Sequence, residues 1–246
     1  MTQPLKILDT ILGEGSSKIC IPLISETMDE LLQEAEEIRL LHPDLVEWRA
    51  DHLKCLSPDI IGAICGRLYE IFFPIPVIFT LRTNLEGGSF FYDSVFYENA
   101  LLAAAESQRV QLIDVEALTG QSFKMNLIRE LKKRSVFTIA SYHNFAETQS
   151  KEALLEKWKL LDDSGADILK LAVMPETAED VKRLMEVTKL YSQKTNKPLI
   201  SMSMGETGRI SRIHSEAFGS CVTFASGKAA SAPGQISIQE LRSYFS

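Results

Sequence analysis

The stretch Asp167-Ile168-Leu169-Lys170-Leu171-Ala172-Val173 is an apolar run of strand length with a lysine at its centre. Alternation along a strand places Lys170 on one face with Ile168 and Ala172, and aliphatic side chains on the other. Apolar flanks on both faces are typical of a parallel strand that is buried on both sides. The stretch therefore predicts a parallel α/β sheet with a lysine amine facing its interior.

Lys170 has two interpretations at this point, because a lysine is almost never fully buried without a reason. In the first, its amine lies in a dry pocket, where burial favours the neutral form. A neutral amine can attack a carbonyl carbon and form a Schiff base. In the second, its ammonium reaches the end of the strand and pairs with a carboxylate.

Strand and helix patterns alternate along the whole chain. The predicted strands cover residues 18–24, 45–49, 77–82, 112–116, 136–143, 168–173, 199–203 and 221–224. The predicted helices cover residues 27–41, 58–72, 97–107, 123–133, 151–164 and 178–192. No linker or low-complexity stretch divides the chain. The repeat predicts α/β architecture, a single (β/α)8 TIM barrel catalytic domain over residues 1–246 that begins with a short N-terminal hairpin at residues 5–12.

In five successive predicted strands, the ionisable side chains lie at alternating positions and therefore share one face of the sheet. These residues are Glu47, Arg49, Arg82, Asp114, Glu116, His143 and Lys170. The side chains on the opposite face are apolar, which fits packing against helices. Because a barrel builds its active site at the carboxyl ends of its strands, these side chains are predicted to converge on one site. Each charge taken alone is also compatible with a structural ion pair.

Composition and motifs exclude several classes of function. The net charge of −7 and the pI near 5.3 argue against nucleic acids and anionic membranes as partners. The amino terminus lacks a signal-peptide pattern, and the apolar stretch at residues 71–79 is too short to cross a bilayer. The four cysteines form no CxxC pair, which predicts reduced thiols in a cytoplasmic protein. Without metal-ligand, dinucleotide or P-loop spacing, no metal or cofactor is predicted.

The last third of the chain carries polar groups suited to a small substrate. Arg212 can form a two-pronged hydrogen-bonded contact with a carboxylate. The alternative interpretation is that Arg212 is a solvated charge on the surface. The loop Ser231-Ala232-Pro233-Gly234-Gln235 offers a serine and a glutamine to hydroxyl or carboxylate groups, and its alternative is an ordinary turn. Met202 and Met204, at the end of a predicted strand, fill a core gap or contact a ligand.

Several blocks of the sequence, in this order, resemble the type I 3-dehydroquinate dehydratase family from residue 18 to the carboxyl terminus. They are Glu47-Trp48-Arg49-Ala50-Asp51, Phe79-Thr80-Leu81-Arg82-Thr83, Glu86-Gly87-Gly88, Asp114-Val115-Glu116, Ser141-Tyr142-His143, Ala166-Asp167-Ile168-Leu169-Lys170, Ser211-Arg212-Ile213 and the loop from Ser231 to Gln235. The resemblance implies a (β/α)8 barrel, usually a homodimer. It also implies a hydro-lyase of the shikimate pathway that converts 3-dehydroquinate to 3-dehydroshikimate without metal or nucleotide.

The resemblance also implies roles for individual residues. Lys170 would form a Schiff base with the substrate ketone, and His143 would be the general acid and base, oriented by Glu86. Arg212 would hold the substrate carboxylate. The remaining substrate-binding residues would be Glu47, Arg49, Arg82, Ser231 and Gln235. Three positions depart from the family pattern, namely Pro22, Asn144 and Gln149.

Two other functions are compatible with the same residues. One is another Schiff-base barrel, such as a class I aldolase or transaldolase. The other is a catalytically silent barrel that binds a metabolite or a partner protein. Arg212 and the loop from Ser231 to Gln235 favour a carboxylate-bearing cyclic polyol over a sugar phosphate. Biosynthetic and catabolic roles fit the sequence equally well, and it assigns no role to Asp114 or Glu116.

Overall fold

The computed structural model describes residues 2–118, 121–227 and 234–245, with the side chains of residues 121–124 excepted. It begins with an antiparallel hairpin of two short strands, Leu5–Ile7 (β1) and Thr10–Leu12 (β2). The hairpin predicted at residues 5–12 is therefore confirmed.

After the hairpin, strands and helices alternate. The strands are Lys18–Leu23 (β3), Leu45–Arg49 (β4), Val77–Thr80 (β5), Leu112–Glu116 (β6), Phe137–Asn144 (β7), Ile168–Val173 (β8), Leu199–Ser203 (β9) and Val222–Ser226 (β10). The helices are Met28–Arg39 (α1), Pro58–Phe72 (α2), Ser94–Glu106 (α3), Gln121–Lys133 (α4), Lys151–Asp163 (α5), Ala178–Ser192 (α6), Arg209–Ile213 (α7) and Ile238–Phe245 (α8). A two-residue strand, Ile236–Ser237 (β11), adds to β10.

The strands form one parallel sheet that closes on itself. Its order is β11-β10-β3-β4-β5-β6-β7-β8-β9 within the described residues. A parallel bridge between Leu199 and Ser220 joins β9 to the segment before β10, and the Cys221 N–H donates to the Leu199 carbonyl at 2.7 Å. Each strand is followed by a helix, which is the arrangement of a (β/α)8 barrel. The predicted fold is confirmed.

The amino-terminal end of the barrel interior is apolar and is covered by the hairpin. Thr10 Oγ1 donates to the Asp44 carbonyl, next to the start of β4, at 3.0 Å. Ile7 and Leu12 pack with the first inward residues of the strands, which include Cys20, Leu45, Ile78, Leu112, Ile139, Ile168, Ile200 and Val222. This packing excludes water from one end, so the polar inward residues open only toward the carboxyl ends of the strands.

Replacing Leu12 with alanine is expected to destabilise the barrel by about 2–5 kcal/mol, because it leaves a cavity in this plug. Leu12 is 1% exposed, whereas its neighbour Ile11 is 37% exposed and provides a matched control. Ile11→Ala is expected to cost on the order of 1 kcal/mol or less. Urea unfolding of both variants measures the difference. Equal losses would show that the hairpin does not plug the barrel.

Element boundaries differ from the sequence predictions where a cap or a loop contact intervenes. Helix α3 begins at Ser94 and not at residue 97, because the Asp93 side chain accepts the Phe96 N–H and caps the helix. The predicted strand over residues 77–82 ends at Thr80, and the Arg82 N–H donates to Asp51. Thr27 and Glu30 form a capping box at the start of α1. None of the described helices is both long enough and apolar enough to cross a membrane.

Candidate active site

A cavity lies at the carboxyl ends of the strands, and its empty space is about 750 Å³ when the solvent at its open mouth is included. Residues from five strands, from helix α7 and from the segments that follow β5, β7, β9 and β10 line it. Those that the sequence predicted are Glu47, Arg49, Arg82, Glu86, His143, Lys170, Arg212 and Gln235. Ser231, the ninth predicted residue, lies outside the described residues. These eight side chains line one cavity, whereas Asp114 and Glu116, which the strand pattern also placed with them, lie behind its lining.

Lys170 reaches into the barrel from the middle of β8 and is only 4% exposed. Its Nζ atom lies 3.2 Å from Glu47 Oε1 and 3.4 Å from Asp114 Oδ2, and 4.5 Å from the centre of the Phe224 ring. Each of the two interpretations of Lys170 is therefore partly correct. The amine is buried at a cavity, as the first predicts, and it pairs with carboxylates, as the second predicts. Only the neutral form of an amine attacks a carbonyl carbon.

Asp114 and Arg82 form the buried ion pair behind this amine. Arg82 Nη2 lies 2.9 Å from Asp114 Oδ1, and the Ser141 hydroxyl donates to the same oxygen at 2.6 Å. Burial alone would lower the pKa of Arg82, but Asp114 and Glu116 outweigh it and raise that pKa. Burial would likewise raise the pKa of Asp114, but Arg82 and Lys170 hold it below its ordinary value. Both groups are therefore charged at neutral pH.

Arg82 lines the cavity and also makes several contacts within the protein. Its Nη1 atom donates to Ser141 Oγ at 3.0 Å and lies 3.3 Å from Glu116 Oε1 and 3.6 Å from Glu86 Oε2. Arg82 thus bridges three carboxylates, although it also lines the cavity. Much of its hydrogen-bonding capacity is therefore used within the protein.

Glu116 anchors the loop that follows β5. Its carboxylate accepts the Thr83 N–H at 2.7 Å and the Thr83 hydroxyl at 2.6 Å. Its own backbone N–H donates to the Tyr97 hydroxyl at 3.0 Å. Since this loop carries Glu86, Glu116 fixes a site residue and does not line the cavity itself. The question that the sequence left open for Glu116 is answered by these contacts.

Asp51 holds the same loop from the other side. Its carboxylate accepts hydrogen bonds from Nε and Nη2 of Arg49, both at 2.8 Å. It also accepts the backbone N–H groups of Arg82 at 3.3 Å and of Ser89 at 3.0 Å. Sequence reasoning did not single out Asp51, although it lies two residues beyond Arg49. An arginine and an aspartate at that spacing after a strand are a signal that could have found the pair.

His143 stands at the end of β7, on the strand next to Lys170. The Ser141 Cα pairs with that of Lys170 and the His143 Cα with that of Ala172, so His143 lies above the amine on the same face. Glu86 Oε2 accepts the backbone N–H of His143 at 3.0 Å and contacts its ring Nδ1 at 3.0 Å. A hydrogen on Nδ1 satisfies this contact and leaves the Nε2 lone pair for another partner.

Burial and charge keep this imidazole neutral. Burial, then Arg82 and Lys170, lower the pKa of His143 well below its ordinary value. Burial and the nearby Glu116 raise the pKa of Glu86 well above its ordinary value. Glu86 Oε1 is buried and has no hydrogen-bond partner among the described residues. A neutral histidine with a free nitrogen is the form that a general base requires.

Arg212 brings a second buried cation to the cavity. It lies in the short helix α7 and is only 1% exposed, so its alternative interpretation as a solvated surface charge is wrong. Its Nη1 atom donates to the Phe224 carbonyl at 3.4 Å and lies 3.7 Å from Met202 Sδ. Burial lowers the pKa of Arg212 to about 10. The guanidinium is therefore still charged at pH 7 and suits an anionic ligand.

The rest of the cavity wall is largely apolar. Its members are Ala172, Met202, Met204, Phe145 and Phe224. Met202 and Met204 therefore contact the site. A glycine is required at position 87, because its φ is +78° and the Phe145 ring lies 2.3 Å from where a Cβ would stand. The lining of this cavity therefore combines charged and apolar groups, as ligand-binding pockets commonly do.

The described residues contain no cluster of candidate metal ligands. Within residues 2–118, 121–227 and 234–245, no three histidine, cysteine or carboxylate side chains are grouped so that they could hold a metal ion. The buried carboxylates instead face arginine, lysine and hydroxyl groups, as described above.

Comparison with known proteins gives one consistent result. The sequence model of type I 3-dehydroquinase matches residues 19–246. A 3-dehydroquinate dehydratase of Bacillus velezensis is 40% identical over 246 residues, which is 99% of this chain and 97% of the relative.

Solved structures agree with the sequence relatives. The 3-dehydroquinate dehydratase of Geobacillus kaustophilus is 35% identical with a TM-score of 0.96, covering 99% of this chain and 95% of its own. A type I 3-dehydroquinate dehydratase of Clostridium difficile, solved with covalently modified comenic acid, is 33% identical with a TM-score of 0.95. The match covers 100% of this chain and 97% of that one.

Proposed function

The chain belongs to the type I 3-dehydroquinase family, and we propose that it dehydrates 3-dehydroquinate to 3-dehydroshikimate, a hydro-lyase step of the shikimate pathway. The observation that carries the proposal is the placement of Lys170 and His143 on adjacent strands of one cavity that also contains Arg212. Family membership leaves the aldolase and transaldolase alternative without support. The silent-barrel alternative is addressed by the experiment below.

The proposed reaction begins with Lys170. Its neutral amine adds to the substrate ketone, and the addition product takes up a proton and loses water, which gives an iminium. The iminium withdraws electrons from the adjacent carbon, so its C–H bond becomes far more acidic than beside a ketone. His143 Nε2 takes that proton and returns it to the departing hydroxyl, which leaves as water. Hydrolysis of the conjugated imine then releases the product and restores the amine.

The surrounding residues support these steps in our proposal. Glu86 orients the His143 ring through the 3.0 Å contact at Nδ1. Arg212 pairs with the substrate carboxylate, while Glu47, Arg49, Arg82, Ser231 and Gln235 are assigned to the substrate hydroxyls and to one another. The apolar wall faces the carbon ring. The presence of both charged and apolar residues in the cavity lining supports this assignment.

A single assay on the purified chain tests the proposal. Addition of 3-dehydroquinate is expected to produce absorbance in the enone band. Borohydride added during turnover is expected to leave a reduced adduct on the peptide that contains Lys170, seen by mass spectrometry. Binding of 3-dehydroquinate without an enone signal and without an adduct would favour the silent barrel. An adduct on a different lysine would move the Schiff base.

Arg212→Ala is expected to raise KM for 3-dehydroquinate by about 10²-fold, with a smaller change in kcat, because a charged hydrogen bond to the carboxylate is lost. Arg212→Lys keeps the charge but loses the fork, so an intermediate KM is expected. Arg209→Ala, one helical turn away on α7, is the matched control. An unchanged KM in Arg212→Ala would assign the carboxylate to another group.

We also propose that the chain forms a single domain, acts as a homodimer and resides in the cytoplasm. The four cysteines are free, which supports a reducing compartment. Light scattering of the purified chain tests the dimer, and a monomeric mass at assay concentration would contradict it.

A further inference from the structure

Asp114 is a buried anion that contacts Lys170 but does not line the cavity. It is 1% exposed, and its Oδ2 atom faces Lys170 Nζ at 3.4 Å. Its Oδ1 atom is occupied by the Ser141 hydroxyl and by Arg82. Among the described residues, Glu47 lines the cavity and Asp114 does not. A bound substrate can therefore displace contacts of Glu47, while the contact of Asp114 with the nitrogen stays in place.

The proposed elimination needs a proton on the imine nitrogen. When the C–H bond breaks, its electron pair moves toward the C=N bond, and a protonated nitrogen becomes a neutral enamine nitrogen. Without that proton the same pair would place a negative charge on nitrogen. Expulsion of the hydroxyl as water then restores the positive iminium. The proton on nitrogen must therefore persist through the reaction, although burial in a dry pocket favours its loss.

We propose that Asp114 is a catalytic counter-ion that keeps the Lys170 imine protonated during elimination. This inference rests on the proposed Schiff-base function and assigns a role that the sequence left open. An anion fixed 3.4 Å from the nitrogen stabilises the charged imine relative to the neutral one. Because Arg82 and Ser141 hold the carboxylate from behind, it does not need to reorganise during the reaction.

Other groups near the nitrogen belong to neighbouring strands and loops. The titratable and charged ones are Cys20, Glu47, Arg49, Arg82, Glu86, Glu116 and His143. Arg82 opposes the proton on nitrogen, but its charge is shared among Asp114, Glu116 and Glu86. Glu47 has the same sign as Asp114 and lies at a similar distance from the amine, so a variant of Glu47 must be compared directly.

The test is kcat for 3-dehydroquinate as a function of pH in Asp114→Asn. Asparagine keeps the shape and removes the charge. We expect the alkaline limb of kcat to move to lower pH by about one unit or more. At alkaline pH, kcat is expected to fall about 10-fold to 100-fold, with a smaller loss at lower pH. Borohydride trapping on Lys170 should weaken along the same limb. Asp114→Glu, which restores the charge, is expected to return the limb toward the wild-type position.

Matched variants separate charge from structure. Ser141→Ala removes a hydrogen bond to Asp114 but keeps its charge, so its alkaline limb should stay in place. Glu47→Gln removes a cavity-lining anion, so KM should rise as well. If Asp114→Asn does not fold, Asp114→Ala is measured instead, with the same expected shift.

A uniform loss of kcat with an unmoved limb would overturn the counter-ion role of Asp114. So would a limb that moves in Asp114→Asn and does not return in Asp114→Glu. If the wild-type chain neither dehydrates 3-dehydroquinate nor gives a borohydride-reduced adduct with it, the proposed function itself would be overturned. The two failures are therefore distinguishable.

Discussion

Replacing Lys170 with alanine is expected to lower turnover of 3-dehydroquinate by on the order of 10⁴-fold or more and to abolish borohydride trapping. The reason is that the imine converts an unreactive C–H bond into an acidic one, and no hydrogen bond can substitute for a covalent electron sink. Among the described residues that line the cavity, Lys170 provides the one amine. Enone absorbance and the mass of the Lys170 peptide measure the two losses.

Stability is the main control for this prediction. Removing Lys170 leaves Glu47 and Asp114 buried without the cation that lies within 3.4 Å of both. Loss of one partner from a buried ion pair costs about 3–5 kcal/mol, so some of the effect could arise from unfolding. Lys170→Met, which keeps most of the volume, should be measured beside Lys170→Ala with urea unfolding of each.

Lys157 provides the matched lysine. It lies outside the substrate cavity, with its ammonium 5.1 Å from the centre of the Tyr142 ring. Lys157→Ala is expected to keep both turnover and trapping. Folded Lys170→Ala that still gives a reduced adduct would place the Schiff base on another amine and contradict the mechanism.

Strand periodicity was sufficient to predict the fold and most of the site. A strand alternates with period two, so Glu47, Asp114, Ser141 and Lys170 had to share the inward face once their strands were located. The repeated strand-helix pattern then predicted the barrel, which requires those faces to converge. The resemblance to the type I 3-dehydroquinase family, which the family match confirms, pointed to the same residues.

Contacts between distant segments were beyond the reach of periodicity. Strand register depends on hydrogen bonds between segments that are far apart in the sequence. The pairing of Ser141 with Lys170 was therefore not predictable. The bridges that Arg82 makes to carboxylates from β6 likewise join segments that are far apart in the sequence. Arg212 lies on a helix of five residues, too short for a periodic pattern to show that the side chain is buried.

Replacing His143 with alanine is expected to lower kcat by about 10²-fold to 10⁴-fold while the Schiff base still forms, because the amine and the base lie on different strands. The trapped adduct should then carry the mass of reduced substrate and not of reduced product. The lowered pKa of His143 gives the sign of the pH effect. The histidine is neutral at pH 7 and stays neutral below its ordinary range, so the acid limb of wild-type kcat/KM should lie below that range.

Two further variants show whether the loss belongs to the base itself. Glu86→Gln keeps an oxygen for the His143 N–H groups, which Glu86 Oε2 accepts at 3.0 Å, so a smaller loss of kcat is expected. His214→Ala removes an exposed histidine outside the cavity and should leave turnover unchanged. If His143→Ala kept near wild-type kcat, a different group would have to move the proton. If it abolished the adduct altogether, His143 would be needed already for imine formation, since the proton that expels water from the addition product would then come from the same ring.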